Sequence, residues 1–335
     1  MKKFFALILA LAMALSLVAC GGGTDNGDGG SNGGATTKMR FVTGGESGTY
    51  YAFGSVIAQH ATNNAGIDVV GLVGNGSQSN VQELQDGNAE LAFCQSDVMA
   101  YAYNGTNIFA DHGKVDCFST VAALYMEQVQ IVTVDPTIKT VEDLAGKKVS
   151  VGAAGSGVYF NAKDILTAYG LGDVNENDEF TQINATYQSF GDSANDLKDG
   201  KIDAAFTVAG APTTSITELD ATAEFDMISL TPEAVEYLTT NYPFLVQEDL
   251  PAGTYPNNID YDVTCVAVKA VLVASEDLSE DFVYELLTQM FENQESMAAT
   301  QAKFQFLTLE NAVAGVGDVP MHPGAEKFYT EKGVL

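Results

Sequence analysis

Short apolar runs alternate with amphipathic helical patterns along most of the chain, and the first such cycle starts at residue 39. Met39–Thr43 has the apolar character of a strand, and a glycine-rich turn follows it. Thr49 to about Asn63 then places apolar side chains at helical spacing. Strands that alternate with helices in this way favour mostly parallel sheets covered by helices. The pattern therefore predicts an α/β protein.

The same cycle occurs a second time further along the chain. Ser47-Gly48-Thr49-Tyr50 is matched 109 positions later by Ser156-Gly157-Val158-Tyr159, and each copy follows a strand and a glycine turn. A second match, Asp86–Phe93 with Asp199–Phe206, has an offset of 113. The order strand, turn, helix, Asp-Gly, strand is thus repeated. We expect two similar lobes, each of which points a helix N-terminus at something small.

Two longer β-rich runs, near residues 125–134 and 263–273, lie on either side of the second copy. The simplest architecture takes one lobe from both chain ends and the other from the middle, with two hinge strands crossing between them. We therefore expect residues 39–130 and 264–335 to form the first lobe and residues 131–263 the second. Ligands bind beyond the carboxyl ends of the strands in open α/β sheets, so both glycine turns should face one cleft.

The first 38 residues differ in composition from the rest. Lys2-Lys3 precedes the apolar stretch Phe4–Val18, which is typical of a secretory signal peptide and shorter than the ~20 residues of a spanning helix. We expect residues 1–19 to be this signal peptide. Leu17-Val18-Ala19-Cys20 resembles the bacterial lipobox, which implies a lipidated Cys20; an ordinary signal peptide with an incidental cysteine is the alternative. Residues 20–38 are nearly all small or polar and predict a flexible tether.

Charge, cysteines and histidines narrow the range of functions. The formal net charge of −29 argues against nucleic acid or anionic lipid as a partner. It does not argue against a small anionic ligand, because local dipoles can outweigh the overall charge inside a cleft. Cys94, Cys117 and Cys265 are an odd, widely spaced set, which favours three thiols over one disulfide. The histidines show no metal-ligand spacing, and we expect neither a metal nor a cofactor.

An ordered set of short motifs runs from about residue 39 to 330. It comprises Gly44-x-x-x-Gly-Thr-Tyr-Tyr51, Gly76-Ser77-x-x-Asn80, Gln95-Ser96-Asp97, Asp143-Leu144-x-Gly-Lys-Lys-Val-Ser-Val-Gly152, Gly155-Ser156-Gly157, Ala209-Gly210-Ala211-Pro212 and His322-Pro323-Gly324-Ala325. The set resembles the TRAP-associated extracytoplasmic immunogenic (TAXI) family of solute-binding proteins. The resemblance implies a two-lobed periplasmic-binding-protein fold of type II. It also implies a receptor that delivers a small organic anion or amino acid, of the glutamate, glutamine or C4–C5 dicarboxylate type, to TRAP permease subunits in the membrane.

The two glycine turns are the leading candidates for ligand binding. Each leaves backbone N–H groups unpaired at a helix start, which suits a carboxylate; simple tight turns are the alternative. The expected ligand contacts in the turns are Ser47, Gly48, Thr49, Gly155, Ser156, Gly157 and Val158. Tyr50, Tyr51 and Tyr159 are expected as a wall over the ligand, or else as core residues. The remaining candidates are Ser77, Asn80, Gln95, Ser96, Asp97, Gly210 and Pro212.

Several of these candidates have a second interpretation. Ser77 and Asn80 could equally cap a helix. Asp97 either receives a ligand's ammonium group or is only a favourable charge at a helix start. The single arginine, Arg40, lies four residues before the first turn, roughly 13 Å away along an extended strand. An arginine clamp on the carboxylate is therefore not expected, and Lys163 is the candidate cation.

Two rival functions follow from the same scaffold. A receptor for an ABC importer would have the same fold, and gene neighbours would distinguish it from a TRAP receptor. A secreted enzyme would need a base beside Ser47 or Ser156, and no histidine lies near either in sequence. His60 or His322 placed against a cleft serine would support the enzyme. We expect a receptor and not an enzyme.

Overall fold

The computed structural model describes residues 38–335, apart from the side chains of Ala65, Asp111 and His112. The predicted signal peptide, Cys20 and nearly all of the predicted tether lie outside the described residues. The first elements are β1 (Met39–Val42), α1 (Thr49–His60) with a π-helical turn (Ala61–Ala65), β2 (Val69–Leu72), α2 (Ser77–Gln85), β3 (Leu91–Gln95), α3 (Ser96–Asn104), α4 (Phe109–His112) and β4 (Phe118–Thr133).

The middle of the chain repeats this alternation. Its elements are a 3-10 turn (Val141–Leu144), β5 (Lys148–Ser150), α5 (Val158–Ala168), β6 (Asn184–Thr186), α6 (Phe190–Lys198), β7 (Ala204–Ala209), α7 (Thr214–Asp220), β8 (Asp226–Met227), α8 (Pro232–Asn241) and β9 (Val246–Gln247). The last elements are β10 (Val266–Ser275), α9 (Glu280–Glu292), α10 (Gln294–Thr300), a 3-10 turn (Ala302–Phe306), α11 (Leu309–Ala312) and α12 (Pro323–Lys332).

The strands form one sheet with the main order β2-β1-β3-β10-β4-β7-β5-β6, to which β8 and β9 add short pairings. β1 pairs parallel with β2 and β3, and β5 pairs parallel with β6 and β7. The long strands β4 and β10 pair antiparallel with each other and with β7 and β3, respectively. The sheet is therefore mixed. The strands that alternate with helices pair parallel within each lobe, as predicted, whereas the two crossing strands β4 and β10 pair antiparallel.

The long strands β4 and β10 connect the two lobes. Ala270–Ala274 of β10 pairs with β3, whereas Gln128–Thr133 of β4 pairs with β7. Between these regions β4 and β10 pair with each other, with register shifts after Lys269 and Leu272. The predicted two-lobed fold with two crossing strands is confirmed. The boundaries 39–130 plus 264–335 and 131–263 stay a prediction, and we use them below to name the first and second lobes.

Both crossing strands differ in extent from the prediction. β4 begins at Phe118 rather than near Tyr125, because the residues before Tyr125 are nearly all apolar and are buried between helices. β10 begins at Val266 rather than Val263, since Val263 instead forms an isolated bridge with Leu250. The crossing region is therefore apolar over most of its length.

The core of the first lobe includes an aromatic cluster between the sheet and the C-terminal helices. Phe53 of α1 stacks on Phe304 with the ring centroids 3.6 Å apart, and it also contacts Tyr125 of β4. Each of these rings is almost fully buried, and full burial of such a side chain contributes ~1.5–3 kcal/mol. The C-terminal part of the chain thus packs into the same lobe as the N-terminal part.

The described cysteines are not bridged. Cys94 and Cys265 are buried free thiols, and Cys117 is a partly buried one. Between residues 38 and 335, no helix combines the length and the apolar character that crossing a membrane requires.

Candidate functional site

A cavity of about 400 Å³ lies between the two lobes. The first lobe lines it with the N-terminal ends of α1 and α2, and the second lobe lines it with those of α5 and α6. The N-terminal end of a helix carries roughly half a positive charge from the aligned peptide dipoles. The backbone therefore gives this cavity a positive potential.

Three of these four helices begin at a glycine without a capping side chain. Gly48, Gly76 and Gly157 are the N-caps of α1, α2 and α5, and no side chain of the described residues caps the N–H groups that follow them. Gly76 has a φ of 109°, which a residue with a side chain rarely adopts. The first N–H groups of a helix have no intrahelical partner. Apart from Ser79 N of α2, which donates to Gly155 O, the first amides at these three ends are thus available to an anion.

The two lobes are in contact around the cavity. Ser79 N of α2 donates a hydrogen bond to Gly155 O in the second lobe at 2.8 Å. On the other side, Thr49 Oγ1 donates to Gly210 O at 2.9 Å. Both bonds join atoms of different lobes. The structure is therefore a closed arrangement in which both lobes enclose the cavity.

Gln95 joins the cavity wall to the contact between the lobes. Its Nε2 donates to Asn161 Oδ1 of α5 at 2.6 Å, and its Oε1 accepts from Ser77 Oγ at 3.2 Å. A methyl group added to Gly157 would lie 1.3 Å from Gln95 Oε1. The closed arrangement therefore requires a residue without a side chain at position 157.

Glu127 is the one charged residue in β4, and it lines the cavity. Its side chain is buried, and Tyr50 Oη donates a hydrogen bond to Glu127 Oε2 at 2.7 Å. Burial raises the pKa of Glu127 to about 8, although the bond from Tyr50 and the charge of Lys303 act in the opposite direction. Burial therefore favours the protonated form of Glu127 when no cationic group of a ligand lies beside it.

No lysine, arginine or histidine of the described residues lines the cavity. Arg40 is instead paired with Glu90, and Lys163 Nζ lies 2.7 Å from Asp178 Oδ1. The structure thus does not place Lys163 in the cavity, where the sequence suggested a cation. The backbone amides are the positive groups that the described residues offer to a ligand.

Nine of the residues that the sequence proposed for ligand binding line the cavity. They are Ser47, Gly48, Thr49, Tyr50, Ser77, Gln95, Ser156, Gly157 and Val158. The Ser156 Oγ atom is buried and has no hydrogen-bond partner within residues 38–335. Both glycine turns therefore border the same space, and the second turn includes a hydroxyl group that a ligand could satisfy.

Eight other proposed residues do not line the cavity. They are Tyr51, Asn80, Ser96, Asp97, Gly155, Tyr159, Gly210 and Pro212. Asn80 is fully buried, and its Nδ2 donates to Thr43 O at 2.6 Å and Phe93 O at 2.9 Å. Asn80 therefore joins α2 to the ends of β1 and β3. Its geometry supports a structural role.

The side chains of Asp97 and Tyr159 also have hydrogen-bond partners within the protein. Asp97 Oδ1 accepts from Val98 N at 2.7 Å, and Asp97 Oδ2 accepts from Asn161 Nδ2 at 2.8 Å. Tyr159 Oη donates to the carboxylate of Asp178. The proposed contact between Asp97 and a ligand's ammonium group therefore has no support from the geometry, and Glu127 is the buried acid that borders the cavity.

The sequence interpretation missed Glu127 and the start of α6. Glu127 could have been found in the sequence as the one acidic residue in the apolar run of β4. Burying a charge costs free energy unless the group has a partner, so an acid in such a run often has a function. Ser189 caps α6 by accepting from Asp192 N at 3.1 Å, and this pattern of a serine followed three residues later by an acid is readable in sequence. What the sequence did not reveal is that α6 faces the same cavity as α1.

His60 and His322 do not line the cavity. His60 contacts the side chain of Asn64 on the surface. His322 is buried, where Nδ1 accepts from Gly324 N at 3.2 Å and Nε2 lies 3.0 Å from Leu278 O. His322 thus caps α12, which is a structural role. Neither histidine lies against a cleft serine, so the arrangement that would support an enzyme is not present in the described residues.

The two-lobed sheet with a cavity between the lobes is a periplasmic-binding-protein fold of type II. Residues 41–333 match the model of the NMT1-like family, and the chain belongs to this family. A similar solved structure is described as a periplasmic transporter; it has 16% sequence identity and a TM-score of 0.50, with 88% of this chain and 92% of that chain covered.

Two further solved structures are similar to a lesser degree. The periplasmic aliphatic sulphonate binding protein SsuA from Escherichia coli has 15% identity and a TM-score of 0.44, with 88% of this chain and 82% of that chain covered. A substrate binding protein of an amino acid ABC transporter has 12% identity and a TM-score of 0.44, with 81% and 99% covered.

Proposed function

We propose that the protein is an extracytoplasmic solute receptor, which encloses a small amino acid between its lobes and delivers it to a membrane transporter. The observation that carries this proposal is the single cavity onto which both lobes direct uncapped helix N-termini. A solute that contacts both lobes stabilises the closed form relative to any open one. Capture by closing is therefore the activity that this geometry supports best.

The charges around the cavity favour a zwitterion over a dicarboxylate. The acidic lining residues are Glu46, Glu127 and Asp192, and no basic side chain of residues 38–335 lines the cavity beside them. A single carboxylate matches the helix N-termini. A second carboxylate would have to share the cavity with Glu127, whereas an ammonium group would pair with it. We therefore infer that the solute carries an ammonium group near Glu127 and an α-carboxylate on the amide side, as both glutamine and glutamate do.

A matched pair of solutes tests this inference. L-Glutamate and glutarate differ only in the amino group, and isothermal titration calorimetry at pH 7 measures both affinities. Loss of one partner of a buried charge pair costs about 2–5 kcal/mol, so we expect glutarate to bind at least about thirtyfold more weakly than L-glutamate. L-Glutamine is the third ligand of the series. Equal affinity for glutarate would contradict the role of Glu127, and no binding by any of the three would contradict the ligand class.

Two variants with the same change in charge separate the buried acid from an exposed one. Glu127→Gln removes the charge that we place beside the ammonium group, and we expect about a thirtyfold loss of amino-acid affinity together with loss of the preference over glutarate. Glu46→Gln is the control, because Glu46 lies at the exposed edge of the cavity. Exposed charges contribute little, so we expect Glu46→Gln to retain nearly the wild-type affinity. A loss of affinity in Glu46→Gln as large as that in Glu127→Gln would overturn the assignment.

The proposal also concerns the class of membrane transporter that the receptor serves. The motif set in the sequence supports a TRAP permease, and an ABC importer is the second candidate because receptors with this fold serve both. Uptake of radiolabelled solute into vesicles that contain the cognate membrane proteins distinguishes the two. Transport driven by an ion gradient without ATP would support TRAP, and an absolute requirement for ATP would support the ABC importer.

We also propose that the chain is exported and anchored through a lipid on Cys20. The basic start, the apolar stretch and Leu17-Val18-Ala19-Cys20 support this proposal. In a Cys20→Ala variant we expect the protein to leave the membrane fraction or to remain unprocessed, as judged by fractionation and the mass of the mature chain. Unchanged membrane association and an unchanged mature mass would contradict it.

A further inference from the structure

Two buried carboxylates lie at the contact between the lobes, outside the cavity lining. Asp97, at the start of α3 in the first lobe, is 2% exposed, and Asp164, on α5 in the second lobe, is 8% exposed. Asn161, one turn before Asp164 on α5, donates its Nδ2 hydrogen to Asp97 Oδ2 across the contact at 2.8 Å. Neither carboxylate forms an ion pair within the described residues.

The groups that face Asp97 add no positive charge. Tyr101, one turn further along α3, is close enough to both carboxylates for them to raise its pKa, after burial as the main cause. Cys94 of β3 and Glu127 of β4 face Asp97 from the sheet, and the charge of Asp97 contributes to the raised pKa of each. Asp97 is therefore surrounded by neutral or acidic groups.

Asp164 has one hydroxyl and one ammonium group nearby. Tyr242, just after α8, faces it, and burial followed by the charge of Asp164 raises the pKa of that hydroxyl. Lys163 is the adjacent residue on α5, but its Nζ lies 2.7 Å from Asp178 Oδ1 and is shared with that carboxylate. Burial and the charge of Asp97 raise the pKa of Asp164 more strongly than the Tyr242 hydroxyl and the charge of Lys163 lower it.

Closing the lobes therefore favours protonated carboxyl groups at this contact. Burial raises the pKa of Asp97 from 3.8 to about 6, and burial together with the charge of Asp97 raises the pKa of Asp164 from 3.8 to about 7. Opening separates α5 from Asp97 and removes the part of the burial that the opposite lobe contributes, which lowers the pKa of both carboxyl groups toward the ordinary value. A group with a raised pKa in the closed form stabilises that form at low pH, and this stabilisation is lost as the pH rises through about 6 to 7.

We propose that Asp97 and Asp164 form a proton-dependent latch, which favours the closed arrangement while the pair holds a proton and favours opening when both carboxyl groups are ionised. The latch is connected to the cavity, because Asn161 binds Asp97 through Nδ2 and Gln95 through Oδ1. Gln95 in turn lines the cavity. This proposal depends on the proposed function in one respect, namely that closing of the lobes retains the solute.

Small-angle X-ray scattering of the full-length chain without solute tests the latch directly. We expect the wild-type chain to have a smaller radius of gyration at pH 5 than at pH 8. The Glu127→Gln chain, which lacks the other titrating acid of the site, should show the same difference. The Asp97→Asn/Asp164→Asn double variant in this background has neutral side chains at all three positions, and we expect the compact form at both pH values. A radius of gyration that does not change with pH in the Glu127→Gln chain, or an undiminished pH response in the double variant, would overturn the proposal.

A second variant keeps the test informative if the double variant fails to fold. Asn161→Asp adds a third carboxyl group beside Asp97 and should move the closing transition to a lower pH. Asp173→Asn, a change on an exposed side chain of the second lobe, is the control and should leave the transition unchanged. A transition that Asn161→Asp leaves at the wild-type pH would contradict the latch.

Solute binding provides the last readout, with L-glutamate as the probe. In the Glu127→Gln background, which removes the other titrating acid of the site, we expect about tenfold tighter binding at pH 5.5 than at pH 8. The further addition of Asp97→Asn and Asp164→Asn should abolish this difference. Failure of L-glutamate to bind at any pH would contradict the proposed ligand and leave the scattering result to decide on the latch. Binding that is equally tight at both pH values in the Glu127→Gln background would contradict the latch alone.

Discussion

Gly157→Ala is the most direct perturbation of the closed form. A methyl group at position 157 would lie 1.3 Å from Gln95 Oε1 and 2.5 Å from Gln95 Cδ, where contacts below about 3 Å are repulsive. The backbone itself tolerates alanine, since Gly157 has φ −70° and ψ −18°, which are ordinary helical values. The variant therefore opposes closing and does not strain either lobe.

The size of the effect follows from the hydrogen bonds that Gln95 must give up. To make room, the Gln95 amide group has to leave Asn161 Oδ1 and Ser77 Oγ, which it now contacts at 2.6 and 3.2 Å. Leaving a buried polar group unpaired costs about 1–3 kcal/mol. Two such losses cost about 2–6 kcal/mol in the closed form alone, which corresponds to a roughly 30- to 20,000-fold loss of affinity. Gly157→Val should be at least as severe.

Calorimetry with the amino acid that binds best, together with thermal unfolding, measures this effect. We expect weaker binding and an unchanged midpoint of unfolding in the absence of solute. Gly71→Ala is the matched control, because a methyl group there meets no atom within 4 Å. The double variant Gln95→Ala/Gly157→Ala should bind no more weakly than Gln95→Ala, since the obstructing side chain is gone. Wild-type affinity in Gly157→Ala would refute both the closure argument and the role of the amides.

Three further variants test individual residues. Ser156→Ala removes a buried hydroxyl group without a protein partner among the described residues, so we expect about a fivefold loss of affinity in calorimetry and no loss of stability. Asn80→Ala removes the bonds to Thr43 O and Phe93 O; chemical denaturation should show about 2–3 kcal/mol of destabilisation, and a loss of affinity without destabilisation would contradict the structural role. Arg40→Gln breaks the ion pair with Glu90 and should leave solute affinity unchanged, whereas a large loss would show that Arg40 reaches the ligand.

The local elements were readable from the sequence because each depends on nearby residues. The glycine turns before α1 and α5 needed only a strand, a glycine-rich segment and a helical pattern in succession. The hinge strands were visible as long apolar runs, but their ends were not, since the apolar character of β4 extends back to Phe118. The burial that decides where such a strand begins comes from helices far away in sequence.

In the site, too, the sequence indicated where residues lie along the chain but not which way their side chains point. The sequence predicted ligand contacts from both Gln95, the last residue of β3, and Asp97, the second residue of α3. It could not show that Gln95 lines the cavity while Asp97 contacts Asn161, because α3 begins at Ser96 and successive residues on a helix point in different directions. Side-chain direction at a strand–helix junction depends on how the helix packs.

By itself, the sequence determined the α/β alternation, the duplicated order of elements and the two glycine turns, because hydrophobic spacing and glycine act over short distances along the chain. Only the tertiary structure decided that both turns, the start of α6 and Glu127 border one cavity without a basic side chain among the described residues. It also brought Asp97 and Asp164 to one buried contact. These results depend on the crossing of β4 and β10, which brings together residues that are far apart in sequence, and on the exclusion of water where they meet.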